Sequence, residues 1–171
     1  MKTLYIIRHA KAEDKSVNKT DYDRKLSATG ERDARLMGLA LQGLGVHPDM
    51  VLSSPAERAL HTAEIVIDAL DLSVDNIVCN KDIYNTTLKT LLKVLSQSPD
   101  KISSLMVFGH NPAFKDLVNY LGNKKFEKLP KGSVVTLKFE IEKWSKINKR
   151  SGQLTYFEYP KNLQKNIQLK G

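Results

Sequence analysis

Cysteine is almost missing from this chain. Cys79 is the single one in 171 residues. An internal disulfide framework is thereby excluded, which fits a reducing compartment. Long apolar runs are missing too, and no stretch approaches the roughly 20 apolar residues of a membrane span. The first apolar run, residues 4–7, breaks off at Arg8 and is too short for the core of a signal peptide. The expectation is a soluble, cytoplasmic protein without membrane contact. There is no internal repeat, no low-complexity tract and no linker that would divide the chain. Residues 1–171 therefore read as one domain. Metal motifs are missing as well: no His-Glu-x-x-His, no cysteine pair and no third ligand at short spacing. We expect neither a metal nor another cofactor.

The charge that is present is unevenly placed. The net charge is +8, and residues 123–171 hold 12 Lys and Arg against 4 Asp and Glu, which is the whole excess. This basic part has no aromatic interleaving and no nucleic-acid motif, so a nucleic-acid partner is not expected. It reads as a solvated lysine-rich edge or as a surface for an acidic partner.

Hydrophobic patterning alternates strands and helices over the first 122 residues. Short apolar runs at 3–7, 50–52, 77–79 and 105–108 read as strands. Ser27 is a candidate N-cap, with Ala34, Met37, Leu41 and Leu44 at helical spacing behind it and Gly43 and Gly45 at its end. A second helix reads as capped by Ser54, with Pro55 at its first position, and runs to about Leu70. Further helices are expected over 87–95, with Leu88, Leu91, Leu92 and Leu95 on one face, and from Pro112 to Gly122. This order implies βαβ units: an α/β, three-layer sandwich with a mostly parallel sheet and helices on both faces. Segments 134–139 and 154–159, with a turn at 149–152, read as an antiparallel pair at an edge. The stretch after about residue 160 reads as a frayed, peripheral tail.

Sites in open α/β sheets form outside the carboxyl ends of the strands. Three of the expected strands end in chemistry. The first runs into Arg8-His9. The second runs into Ser53-Ser54-Pro55, with Arg58 one turn further on. The fourth runs into Gly109-His110-Asn111-Pro112. Arg24 lies in the polar loop 14–25 and has access to the same edge. Arginine forks match phosphate oxygens, and helix N-termini favour anions. A neutral imidazole can attack phosphorus and carry a phosphoryl group. A second imidazole can stabilise charge on the phosphoryl oxygens. His47 and His61 sit at no strand end and read as structural. A metal between the two remaining histidines is disfavoured, since the flanking arginines would repel a cation.

The stretches "IIRHAKAE", "DRKLSATGERDARLMG", "VLSSPAERALHTAEIV", "LMVFGHNPAF" and "LPKGSVVTLKFE" span most of the chain. Together they resemble the histidine phosphatase superfamily, the phosphoglycerate-mutase-like or RHG proteins, and within it the short SixA-type phosphohistidine phosphatases. The resemblance implies a phosphoglycerate-mutase-like fold. It makes His9 the phosphoryl acceptor and Arg8, Arg58 and His110 the rest of the phosphate pocket, with Arg24 as a further phosphate-binding arginine. Two positions depart from the family pattern. Ala10 replaces the glycine whose carbonyl typically holds the nucleophile's other ring nitrogen, a role that alanine's carbonyl can keep. The glutamate general acid of many larger members falls at about Asn85, with Asp82 the nearest carboxylate, so the general acid is unassigned. A phosphohistidine leaving group can be protonated before the P–N bond breaks, which lowers the demand for an enzymic acid. The expected activity is therefore metal-independent hydrolysis of phosphohistidine on proteins, in signal transduction. The alternatives are a phosphatase for exposed small phosphomonoesters and a non-catalytic phospho-ligand binding module. Partner protein and oligomeric state stay open.

Overall fold

The computed structural model describes residues 1–17 and 19–170; Asn18, in the loop expected at 14–25, and Gly171, at the end of the expected tail, lie outside the described residues. Six strands form one sheet: β1 (Lys2–Arg8), β2 (Met50–Ser53), β3 (Ile77–Cys79), β4 (Ser104–Gly109), β5 (Val134–Phe139) and β6 (Gly152–Glu158). They lie in the order β3-β2-β4-β1-β5-β6. The first four pair in parallel. The last two join antiparallel, β5 on β1 and β6 on β5. The expected mostly parallel sheet with an antiparallel C-terminal pair at its edge is what the chain forms.

Both faces of the sheet are covered, which is why its central strands are nearly continuous apolar runs. Side chains alternate across β1. Leu4 and Ile6 join one core with α3 (Leu88–Ser96) and α4 (Ala113–Leu121) through Leu91, Leu95, Phe114 and Leu117. Ile7 faces the other core, against Met37 and Leu41 of α1 (Ala28–Gly43) and Val66 and Ile67 of α2 (Glu57–Ala69). Trp144, in a short 3-10 turn before β6, closes the first core and donates its indole N–H to the Ile102 carbonyl at 3.2 Å.

Local expectations meet three corrections. Ser27 caps α1 as expected, its hydroxyl accepting from the Gly30 N–H, but Leu44 falls just past that helix and is exposed. α2 starts later than expected, at Glu57, and Ser54 is not its cap. The Ser54 hydroxyl is occupied by a histidine described below. The stretch expected to fray is a helix, α5 (Pro160–Lys170). Proline fits a first helical position because no intrahelical partner awaits its missing N–H. Leu163 anchors the helix on the second core, and Gln164 reaches Asp33 of α1 at 3.3 Å.

The topology fixes where a crevice opens. β1 and β4 are neighbours, with Arg8 level with Gly109. The helix that follows β1 packs on one face of the sheet and the helix that follows β4 packs on the other. Adjacent strands whose chains leave in opposite directions leave a cleft between their carboxyl ends. The next residues of those two chains are His9 and His110.

Candidate active site

His9 and His110 face each other across that cleft, ring centroids 5.3 Å apart. Both are buried, as is Arg58 in the first turn of α2. His9 is held at both ends. Its main-chain N–H donates to the Gly109 carbonyl at 3.0 Å. Its ring Nδ1 lies 2.6 Å from the Ala10 carbonyl. A carbonyl only accepts, so Nδ1 carries the proton and Nε2 carries the lone pair. Alanine thus supplies the contact expected of the family's glycine. Residue 10 is tied down in turn by its N–H to Thr62 Oγ1, 3.1 Å, and that hydroxyl donates to the Arg58 carbonyl, 2.6 Å.

His110 is held by Ser54. Its Nε2 lies 2.7 Å from the Ser54 hydroxyl, and that oxygen also accepts from the Ala56 N–H at 3.2 Å. β2 lies beside β4, and the Ser54 N–H donates to the Phe108 carbonyl at 3.0 Å. The adjacent strand therefore delivers this hydroxyl to the histidine. In the sequence Ser54 reads as a helix cap, and nothing local there signals the contact with His110.

The three arginines are braced at their ends. Arg8 Nη1 donates to the Leu129 carbonyl at 2.8 Å. Arg24 donates to the Glu13 carbonyl at 3.1 Å and to Asp21 Oδ1 at 3.2 Å. Arg58 donates to the Asp21 carbonyl at 2.7 Å and to Asp21 Oδ2 at 3.0 Å. Tyr84, edge-on to the His110 ring, also donates to Asp21 Oδ2, at 3.1 Å. Asp21 is therefore the shared bracket of two arginines and a tyrosine, and neither it nor Tyr84 was singled out from the sequence. Among the described residues, the buried side-chain nitrogens without a partner are Arg8 Nε, Arg24 Nε, Arg58 Nε and His110 Nδ1. All four belong to this cluster.

Burial and charge set the protonation states. Burial lowers the His9 imidazole to about 3. The Ala10 carbonyl pulls the other way, while His110, Arg58 and Arg8 add repulsion. Burial lowers His110 to about 4, and Arg58 adds to this more than Asp21 opposes it. Burial also lowers the Arg8 guanidinium, with Arg58 contributing. Burial alone would raise the Asp21 carboxyl, but Arg58, Tyr84 and Arg24 together hold it below the usual carboxylate range. The site thus holds two neutral imidazoles among cations.

All five residues singled out from the sequence, Arg8, His9, Arg24, Arg58 and His110, meet at this edge. Asp82 is exposed in a 3-10 turn, and Asn85 is exposed at a positive φ of 49°. His47 lies at the opposite end of the sheet, before β2, and His61 points toward Glu31 at 3.9 Å. Among the described residues, no group of three or more His, Cys, Asp and Glu is placed to hold a metal. No helix among them is long and apolar enough to cross a membrane.

The fold and the site together define an α/β protein with a doubly covered, mostly parallel sheet and paired histidines and arginines at its switch point. Residues 4–82 match the model of the histidine phosphatase superfamily (branch 1). An uncharacterized chloroplastic protein of Arabidopsis thaliana is 31% identical over 127 residues, covering 69% of this chain and 58% of that one. An uncharacterized protein of Picosynechococcus sp. is 42% identical over 66 residues, covering 39% of this chain and 40% of that one. The chain thus spans about half the length of these curated relatives. Among solved structures, the protein histidine phosphatase SixA complexed with tungstate superposes with a TM-score of 0.81 at 24% identity, covering 94% of this chain and 99% of that one. A SixA structure from Nakamurella multipartitia gives a TM-score of 0.79 at 22% identity, covering 93% of this chain and 96% of that one. These likenesses establish the fold.

Proposed function

We propose that this protein is a metal-independent phosphatase that removes the phosphoryl group from phosphohistidine on proteins, through a covalent intermediate on His9. The observation that carries this reading is the set of four buried, unpartnered nitrogens around a histidine whose tautomer is fixed. A buried donor without a partner costs about 1–3 kcal/mol. A phosphoryl group brings the acceptors that relieve that cost. Each arginine is braced through its terminal nitrogens and keeps its Nε–H for the ligand.

The chemistry follows from the protonation states. His9 Nε2 attacks phosphorus, its lone pair being free because Nδ1 holds the proton. The P–N bond to the substrate imidazole breaks and the phosphoryl group passes to His9. His110 serves a phosphoryl oxygen through Nδ1–H, which requires its Nε2 to accept the Ser54 hydroxyl proton. Water then attacks the phosphoryl group on His9, and His9 leaves as the same neutral tautomer that began the cycle. Asp21, held ionised by its arginines, is not set up to donate a proton. That favours a substrate whose leaving imidazole can be protonated beforehand. The SixA structure with tungstate is named as a protein histidine phosphatase, which supports the same substrate class.

The test is to mix enzyme with a 32P-phosphohistidine protein, quench rapidly and map the label. An acid-labile, base-stable label on His9 is expected, lost together with turnover in His9→Ala. Label on Ser53 or Ser54 overturns the mechanism, and binding without phosphate release overturns the enzyme reading.

A further inference from the structure

A second recess, of about 400 Å³, adjoins the phosphate pocket and shares Arg8 with it. Asn111, Pro112 and Lys115 line it from the start of α4, with Lys128 and Leu129 opposite. Its far wall is fixed by its own bonds. Arg8 Nη1 and Asn111 Nδ2 both donate to the Leu129 carbonyl, at 2.8 and 3.1 Å. Lys115 Nζ donates to the Glu127 carbonyl at 3.2 Å. Because the Leu129 carbonyl only accepts, the Asn111 amide has one possible orientation there. Its Oδ1 is then a buried acceptor with no partner. The lining carries Arg8, Lys115 and Lys128 against a single acid, Glu127.

We propose that this recess binds the acidic polypeptide segment that flanks the phosphorylated residue of a protein substrate. The inference rests on the protein-phosphohistidine reading above. A main-chain N–H of the segment satisfies Asn111 Oδ1, since an unpaired buried acceptor selects for a donor. Carboxylates of the segment meet Lys115 and Lys128. Pro112 and Leu129 supply the apolar part of the wall. A free metabolite phosphate ends at Arg8 and gains nothing from the recess. The basic excess of the C-terminal part does not act as one surface, because Lys124, Lys125, Lys149 and Arg150 gather around the other end of α4.

The test compares phosphohistidine peptides with acidic and with neutral flanks, alongside the small substrate phosphoramidate. Wild type is expected to prefer the acidic peptide, with the preference falling as salt rises. Lys115→Glu/Lys128→Glu is expected to lower kcat/KM on the acidic peptide by about tenfold, leaving phosphoramidate and the neutral peptide within about twofold. Lys128→Glu alone keeps the Lys115 bond to the wall and is expected to give a smaller loss of the same selectivity. Equal losses on every substrate, or no wild-type preference for acidic flanks, overturn the proposal. Hydrolysis of phosphoramidate with neither peptide touched overturns the protein-substrate reading and this proposal with it.

Discussion

Asp21 is the residue on which the proposed phosphate site turns. Its main chain and carboxylate together take both terminal nitrogens of Arg58, and its carboxylate takes one of Arg24. Removing that charge frees two arginines to wander, and misplacement of about 1 Å can cost about 10²-fold in rate. We expect Asp21→Asn to lower kcat/KM by about 10- to 100-fold on phosphoramidate and on p-nitrophenyl phosphate alike. It is also expected to weaken vanadate binding. If Asp21 were the missing proton donor, esters with poor leaving groups would fall far more than phosphoramidate, and that pattern would sink the bracket role. The histidines give a second test. Folded values of about 3 for His9 and about 4 for His110 lie below the unfolded value of about 6.5. As pH falls, the unfolded chain takes up these protons first. The stability from the neutral pair is therefore complete above pH 6.5 and declines as pH falls from there toward 4. The slope is at most about 1.4 kcal/mol per pH unit for each histidine. NMR should find both imidazoles neutral at pH 5.5. Urea midpoints should drop less between pH 7.5 and 5 in His9→Gln and His110→Gln than in wild type. A wild-type histidine titrating near 6.5 would contradict the buried neutral pair.

The elements differ in what they ask of single residues, and glycine separates two cases. Gly109 closes β4 between the two histidines. A Cβ there would come within 2.4 Å of the Phe114 ring and 2.9 Å of Ile83. Gly43, the last residue of α1, has nothing within 4 Å of the same position. We expect Gly109→Ala to cost about 1–3 kcal/mol by overpacking, and to cost activity too because the His9 N–H hangs on the Gly109 carbonyl. Gly43→Ala should be neutral or stabilising by up to about 1 kcal/mol. Thermal denaturation with kinetics on each variant checks the pair, and the reverse ranking would mean that the strand end tolerates movement. These elements also mark how far the sequence could be read. β1, β2 and β4 were plain as apolar runs, and the polar breaks after them located Arg8, His9, Arg58 and His110, because burial on both faces leaves a strong pattern. Ser54 misled, since a serine before proline looks like a cap until the neighbouring strand brings His110 to it. Asp21 and Tyr84 gave no local signal. They lie 63 positions apart and meet only through the tertiary fold. α5 was missed because Lys161, Asn162, Gln164 and Lys165 leave little apolar face. A helix of 11 residues is marginal alone and forms here on the packing of Leu163.

At the scale of the whole molecule, the chain between the strand ends that build the cleft carries no inserted domain. Between Arg58 and His110 the chain is spent on α2, β3, α3, β4 and short connections. The walls come from Asp21 and Tyr22 of the loop after β1 and from Tyr84 after β3, where the two tyrosine rings pack edge to face at 5.2 Å. On the proposed reading, this cleft grips the phosphoryl group and leaves the rest of a small substrate with few contacts. Binding energy from the non-reacting part of a substrate is what lowers its barrier, so a metabolite phosphate has little to spend here. A phosphorylated side chain standing on another protein can enter from outside and add contacts along the rim. We therefore expect higher kcat/KM on a phosphohistidine protein or peptide than on phosphoglycerates or sugar phosphates. Because the arginines supply the positive charge and the neutral imidazoles the nucleophile and a hydrogen bond, EDTA should leave the rate unchanged, while vanadate or tungstate should inhibit. A kinetic panel run with and without chelator decides both points. Hydrolysis of a metabolite phosphate at about 10⁶ M⁻¹s⁻¹ or more, with phosphohistidine ignored, would show that this cleft does not set the substrate. Loss of activity in EDTA restored by a divalent cation would show that the cations of this site are not enough.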